Sequence, residues 1–185
     1  SRNIGALTKK GCRRAAEFYR SFINAEISEL DNIKEAEATK IIENTFRDIN
    51  IAYVNELAMS FDAMGIDLHN VIKGASNKPF AFLAHYPGCG VGGHCIAVDP
   101  YYLIKRAGKA DFDHQFLKNA RRVNNHMPRY TVDRLVKALN QVGKSVKTTR
   151  IALLGLSYKN NVGDIRESPA LKIIKILENE YHTKL

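Results

Sequence analysis

No apolar run in the 185-residue chain approaches the roughly 20 residues that a membrane-spanning helix needs, so a bilayer span is not expected. The N-terminal stretch carries Arg2, Lys9 and Lys10 but no apolar segment of the kind a secretory signal requires. Cysteine is scarce as well. Cys12, Cys89 and Cys95 make an odd number, which argues against a disulfide framework and suits a reducing cytoplasm. No two of them have the spacing of a structural zinc site, so no metal is expected even though His85 and His94 stand nearby. A net charge of +9 raises nucleic-acid binding as a possibility, but zinc-finger spacing and RNA-recognition aromatic motifs are both missing. The basic residues are scattered through amphipathic segments, which reads as a solvated surface with cations for phosphate-bearing ligands. The glycine fingerprint of a dinucleotide site, set between a strand and a helix, is also absent.

What the chain does have is 45% hydrophobic residues, enough for a core, and one concentrated stretch of glycine. Gly88, Gly90, Gly92 and Gly93 fall within six residues, in His85 to Tyr102, where neither helix nor strand is expected. Cys95 follows immediately, and Asp99 stands four residues later, with Pro100 disfavouring a helical conformation for it. Most glycine-rich loops are plain turns and most lone cysteines are small buried hydrophobes, so composition alone assigns no chemistry here.

Around this loop the chain reads as mainly helical. Asn3 to Thr8 suits a buried strand, Cys12 to Ile23 a helix with Cys12 packed inside, and Ala25 to Asp31 a second short strand. From Glu35 to Met64 there is no glycine or proline, and Ile42, Phe46, Ile49, Tyr53, Leu57, Phe61 and Met64 form an apolar stripe. About 30 residues of helix span roughly 45 Å. Lys40 and Asn44 share one face of its first turns. Gly65 should cap this helix, and Asp67 to Gly74, Tyr101 to Ala107, Phe112 to Met127 and Arg129 to Val142 follow as further helices, with Pro128 in the first turn of the last. Gly143 to Thr149 is a polar linker. Arg150 to Leu156 then predicts a buried parallel-type strand, and Ser168-Pro169 caps a helix through Leu171, Ile174 and Leu177. His114 and His126, isolated on helices, read as surface or packing residues.

The order Pro-Gly-x-Gly-x-Gly-Gly-x-Cys-x-x-x-Asp-Pro-Tyr-Tyr-Leu resembles the catalytic-cysteine loop of the UDP-glucose/GDP-mannose dehydrogenase family. Three further segments carry the same resemblance: Ala-Glu-x-x-Lys40-x-x-x-Asn44, with Asn55-Glu56 further along, which read as structural; Val-Asn-x-x-Met-Pro128; and Gly-x-x-x-Lys159-x-x-x-x-Asp164-x-Arg166-Glu-Ser-Pro. Val-Asp-Pro-Tyr-Tyr after the cysteine and Val-Asn-x-x-Met-Pro are similar to the branch that oxidises UDP-N-acetylhexosamines. The chain departs from the family at Cys89 and Ala97, where relatives usually have proline, and at Gly163, where an acidic residue often stands.

The resemblance implies a mainly α core with partial α/β units at both ends. Residues 1–34 would be the remnant of an NAD-binding Rossmann domain and 35–145 a central helical dimerisation domain bearing the catalytic cysteine. Residues 146–185 would be the first strand-loop-helix of a UDP-binding domain. It implies Cys95 as nucleophile, Lys40 and Asn44 as stabilisers of the thiolate and of the developing oxyanion, and Asp99 as the group that orients or deprotonates water. Tyr86, Gly90, Gly92, Gly93, His94 and Lys159 would line the UDP-sugar and Arg166 would reach the diphosphate of NAD, the cofactor of the full-length enzyme. The implied reaction takes C6 of a UDP-N-acetylhexosamine, UDP-N-acetylmannosamine foremost, to the uronic acid for polysaccharide biosynthesis; UDP-N-acetylglucosamine and UDP-glucose are the alternatives. The implied state is a cytoplasmic homodimer paired through helix 35–64, without nucleic acid or membrane. The chain taken alone is expected to be an inactive dimerisation module. A pseudoenzyme would not need Lys40, Asn44, Cys95 and Asp99 intact.

Overall fold

The structure is a computed structural model that describes residues 1–183. Its first unit runs from Ser1 to Phe46 and its second begins at Arg47. In the first unit β1 (Arg2–Ile4) and β2 (Ile27–Glu29) pair in parallel, with α1 (Lys9–Arg20) as the crossover between them. Thr8 caps α1 by accepting from the Gly11 N–H at 3.1 Å. Ile4, Ala16 and Ile27 make the core with Cys12, whose thiol donates to the Ile4 carbonyl at 3.3 Å, so this cysteine has the packing role its position suggests. The strands are shorter than predicted, because residues 5–8 are needed for the turn and cap that start α1.

The long helix α2 spans Ile33–Met64, close to the predicted limits. Asn32 accepts from the Glu35 N–H at 3.0 Å at its start. Gly65, at φ 69°, ends it: Ile66 N–H reaches the Phe61 carbonyl at 2.9 Å and Gly65 N–H the Asp62 carbonyl at 3.3 Å, a Schellman closure. Much of the apolar stripe faces outward. Ile42 is 62% exposed, Tyr53 58% and Met64 57%, while Asp48, Ala52, Val54 and Asn55 are buried on the opposite side.

In the second unit α3 (Leu68–Ala75) packs Leu68 and Ile72 on Val54. After an irregular stretch come α4 (Asp99–Gly108), α5 (Gln115–Gln141) and α6 (Pro169–Tyr181). Asp99 is the first residue of α4, so the proline after it opens the helix and does not exclude its neighbour from it. Two helices were expected between Phe112 and Val142, and α5 is one, with Pro128 inside it. Proline at 128 removes the N–H that Asn124's carbonyl would have received, but Met127 and Val132 are buried on either side and hold the helix through it.

Val132, Val146, Ile173 and Leu177 form the core between α5 and α6, closed at the surface by Arg129, which donates to Glu180 at 2.7 Å. The strand predicted at Arg150 to Leu156 does not form. Ile151 and Leu153 lean on that core while Leu154 is 93% exposed, so the segment is not buried throughout. A strand also needs a ladder, and β1 with β2 is the one pairing among the described residues.

Candidate active site

Cys95 is exposed at the end of the glycine loop and directly precedes α4. Its carbonyl accepts from the N–H groups of Val98 at 3.1 Å and Asp99 at 2.8 Å. Cys95 and Asp99 thereby stand at the two ends of one tight turn, with Asp99 half-buried and Pro100 fully buried. Gly88, Gly90 and Gly93 have the spacing of a dinucleotide turn, yet the residues before them are irregular and no strand feeds the loop.

The loop lies against the segment before α6. Gly93 N–H donates to the Arg166 carbonyl at 3.0 Å. A Cβ on Gly92 would stand 2.7 Å from Tyr158 Cβ, 3.0 Å from Pro169 Cδ and 3.1 Å from the Glu167 carbonyl. Gly93, at φ 85°, has the Tyr158 ring at 2.8 Å from the same notional atom. Gly92 thus leaves room for Tyr158 Cβ, Pro169 and the Glu167 carbonyl, and Gly93 for the Tyr158 ring.

Asp164, whose role sequence leaves open, holds Arg166: it accepts from Arg166 Nε at 3.0 Å, from Nη2 at 2.6 Å and from its backbone N–H at 2.9 Å. Those hydrogen bonds, helped slightly by His94, lower the Asp164 carboxyl to about 2. Arg166 is raised in turn by Asp164 and, to smaller extents, by Tyr158 and Cys95, which brings the predicted arginine and the predicted nucleophile into one neighbourhood. The guanidinium stays 66% exposed, so it can meet an anion while Asp164 fixes its direction.

The other side of the loop rests on a buried polar chain. Gly88 N–H donates to Asn55 Oδ1 at 2.9 Å, Asn55 Nδ2 to Asn124 Oδ1 at 2.9 Å, and Asn124 Nδ2 to Asp48 Oδ1 at 2.8 Å. Arg121 closes it by donating to Asp48 Oδ1 at 2.5 Å. Asp48 and Asn55 are fully buried; burial pushes the Asp48 carboxyl up, against the opposing pull of Arg121. Asn55 has the structural role expected of it, whereas Glu56 is exposed. Sequence reasoning passed over Asp48 and Arg121. The available signal was spacing, since Lys40, Asn44 and Asp48 recur every four residues on α2 and Arg121, Asn124 and Asn125 fall within five on α5.

Lys40 and Asn44 belong to the first unit. Asn44 is buried, and Lys40 is 64% exposed with Glu43 at 3.5 Å. Tyr86 is 55% exposed and stacks on His69 at 6.0 Å between ring centres. His94 and Lys159 are exposed. His126 is exposed, and His114 contacts Phe112 edge to face at 4.8 Å, consistent with surface and packing roles. No cluster of three or more metal-ligating side chains occurs among the described residues, nor does any described helix have the length and apolarity to cross a membrane.

Residues 34–126 match the central domain of the UDP-glucose/GDP-mannose dehydrogenase family, and residues 152–184 its UDP binding domain. A UDP-N-acetyl-D-mannosamine dehydrogenase of Methanococcus maripaludis is 39% identical over 95% of this chain, and a UDP-N-acetyl-D-glucosamine 6-dehydrogenase of Pseudomonas aeruginosa is 42% identical over 90%. In each case the chain spans 39% of the relative's length. A solved structure of the UDP-D-ManNAc dehydrogenase of Pyrococcus horikoshii superposes with a TM-score of 0.87 at 39% identity, over 96% of this chain and 41% of that one.

Proposed function

The chain belongs to the UDP-glucose/GDP-mannose dehydrogenase family, and from that premise we propose that it supplies the nucleophile loop of an NAD-dependent oxidation of a UDP-N-acetylhexosamine at C6. Within the longer enzyme, residues 1–34 close the NAD-binding domain, 35–145 form the central helical domain and 146–185 begin the UDP-binding domain. The observation that carries the reading is an exposed thiol, Cys95, one turn before Asp99, on a loop bonded through Gly93 to the segment of Arg166.

The sugar's primary alcohol is oxidised to an aldehyde, and the Cys95 thiolate adds to its carbon, forming a C–S bond and placing the negative charge on oxygen. The ammonium of Lys40 and the amide of Asn44 stabilise that oxyanion. Loss of a second hydride leaves a thioester. Asp99 orients water and takes its proton; the C–S bond breaks, releasing the uronate and restoring the thiolate. Gly90, Gly92, Gly93, His94 and Tyr86 line the sugar, and Lys159 pairs with its diphosphate. NAD, when bound, supplies the hydride acceptor, and Arg166 is the residue in this chain that fits it, through an exposed guanidinium aimed by Asp164. The likeness to mannosamine and glucosamine enzymes supports an acetamido sugar, with UDP-N-acetylmannosamine as the substrate and UDP-N-acetylglucosamine or UDP-glucose as the competing readings. The test is NADH formation by the full-length enzyme with the three sugars side by side. Preference for the mannosamine supports the reading, and equal or better turnover of UDP-glucose overturns it.

A second reading concerns assembly and rests on the outward apolar stripe of α2, in which Ile42, Phe46, Tyr53 and Met64 are all more than half exposed. Pairing of α2 with its copy about a two-fold axis would bury them, and the chain alone would then be an inactive dimer. A monomer mass at micromolar concentration in light scattering would refute this pairing.

A further inference from the structure

The buried polar chain has a direction, and the direction ends at the glycine loop. Gly88 N–H can only donate, so Asn55 must present its oxygen to it and its Nδ2 to Asn124. Asn124 must then present Oδ1 to Asn55 and Nδ2 to Asp48, where it reaches the carboxylate at 2.8 Å and the Asp48 carbonyl at 3.0 Å. Only one orientation of each amide makes all of these bonds together. The terminus is the Asp48 carboxylate, held by Arg121, whose Nη2 also bonds Asn125 at 3.0 Å; Asn125 donates to the Tyr101 hydroxyl on α4 at 2.9 Å. Arg121 further lies 5.5 Å from the centre of the Tyr101 ring. The network therefore touches the loop at its start, through Gly88, and the helix at its end, through Tyr101.

A third contact comes from the main chain of the same asparagine. Pro128 has no N–H to give the Asn124 carbonyl, and that oxygen lies 3.2 Å from where a Cβ on Gly90 would be. Gly90 is at φ 130° and can admit it. Asn124 thus meets the loop with its backbone at Gly90 and, through Asn55, with its side chain at Gly88.

We propose that Asn55 and Asn124 are positioning residues, forming with Asp48 and Arg121 a one-way hydrogen-bond relay that fixes the glycine loop and thereby the approach of Cys95 to its target. The negative end at Asp48 polarises each donor in turn, and burial keeps water from competing. The consequence for Cys95 rests on the reading of that thiol as the nucleophile. The placement of the loop does not.

The experiment is amide hydrogen exchange on this chain as wild type, Asn55→Asp and Gly88→Pro, with Gly88→Ala as control. Asn55→Asp replaces the Nδ2 donor by an oxygen facing Asn124 Oδ1. Gly88→Pro deletes the donor from the loop side and sets its Cδ where the N–H met Asn55 Oδ1, while every buried side chain of the relay keeps its identity. A methyl at Gly88 meets nothing within 4 Å, so the alanine keeps both the donor and the space. Exchange of residues 90–98 should rise about tenfold or more in both Asn55→Asp and Gly88→Pro, with α5 protected as in wild type and the alanine unchanged. In a Cys89→Ser background, alkylation of Cys95 by iodoacetamide should rise with it. Loop exchange unaltered in Gly88→Pro overturns the relay, and so does an increase shared equally by α5, which would mark a role in stability alone. If Asn55→Asp does not fold, Gly88→Pro decides. Failed turnover by the full-length enzyme with wild-type exchange would count against the catalytic reading and leave the relay standing.

Discussion

Replacing Arg121 by methionine is the sharpest test of the buried network, because its cost follows from burial. The Arg121 side chain is 4% exposed and that of Asp48 0%, so the variant leaves a carboxylate in the interior with its amide donors but no countercharge. Breaking a buried pair from one side costs about 3–5 kcal/mol, whereas removing both charges is often close to neutral. For a unit of this size that corresponds to a fall of about 10–17 °C in Tm. Urea unfolding followed by circular dichroism would compare wild type, Arg121→Met, Asp48→Leu and the double variant Asp48→Leu/Arg121→Met. The double variant should recover at least about 2 kcal/mol relative to adding the single losses. The pH dependence has a definite sign. Burial already raises the folded pKa of Asp48, and without Arg121 the strongest opposing influence is gone. A group with a raised folded pKa favours the folded state at low pH and loses that contribution as pH rises through the folded value. The deficit of Arg121→Met relative to wild type should therefore shrink on going from neutral pH toward about pH 4.5. A loss below about 1 kcal/mol, or a deficit that grows in acid, would refute the reasoning.

Three further outcomes follow from the loop. Gly92→Ala should destabilise by about 1–3 kcal/mol, because the new atom meets Tyr158 Cβ at 2.7 Å, which no side-chain rotation can move, while Gly88→Ala should cost nothing in the same melt. In Gly93→Ala the clash is with the Tyr158 ring, so adding Tyr158→Ala should recover part of the loss; the strain of φ 85° remains, and full recovery would contradict the backbone argument. Asp164 is lowered to about 2 by its bonds to Arg166, so the order it gives residues 157–168 is present above the ordinary carboxylate range and lost as pH falls toward 2. After correction for intrinsic rates, exchange in that segment should accelerate between pH 5 and pH 2.5 in wild type but not in Asp164→Asn, and a wild-type segment indifferent to acid would refute it.

The helices were legible wherever a local signal was sufficient. An uninterrupted amphipathic run marks α2, a Gly65 cap ends it, and Asp67 starts α3 by accepting from His69 N–H at 2.9 Å. The errors share a cause, which is that local chemistry was asked to decide a tertiary matter. Pro128 predicts a helix start, and buried neighbours on both sides override it. Residues 150–156 have the apolar run of a buried strand, but hydrogen-bond partners are not encoded in the segment that needs them. The stripe on α2 was visible, yet which side of the helix faces the core was decided by Asp48, Asn55 and Val54, whose polar members look like surface residues until their partners on α5 are known.

The site divides along the same line. A dense glycine loop with a thiol and a carboxylate is readable because its peculiarity is local, but why each glycine is there is not. Gly90 answers to the Asn124 carbonyl, Gly92 to Pro169 and Glu167, and Gly93 to the ring of Tyr158, residues between 34 and 77 positions further along the chain. A loop without side chains has little means of holding its own shape, since each glycine widens the backbone's choices. Here the shape is imposed from outside, by Asn55 of α2 at Gly88, by α5 at Gly90 and by the Tyr158 to Pro169 segment at Gly92 and Gly93. The two supports belong to regions that match two different domains of the family, 34–126 for the loop itself and 152–184 for the segment beside it. A displacement of the second region would therefore act on Gly92 and Gly93 while Gly88 keeps its bond to Asn55, and Gly93 stands two residues before Cys95.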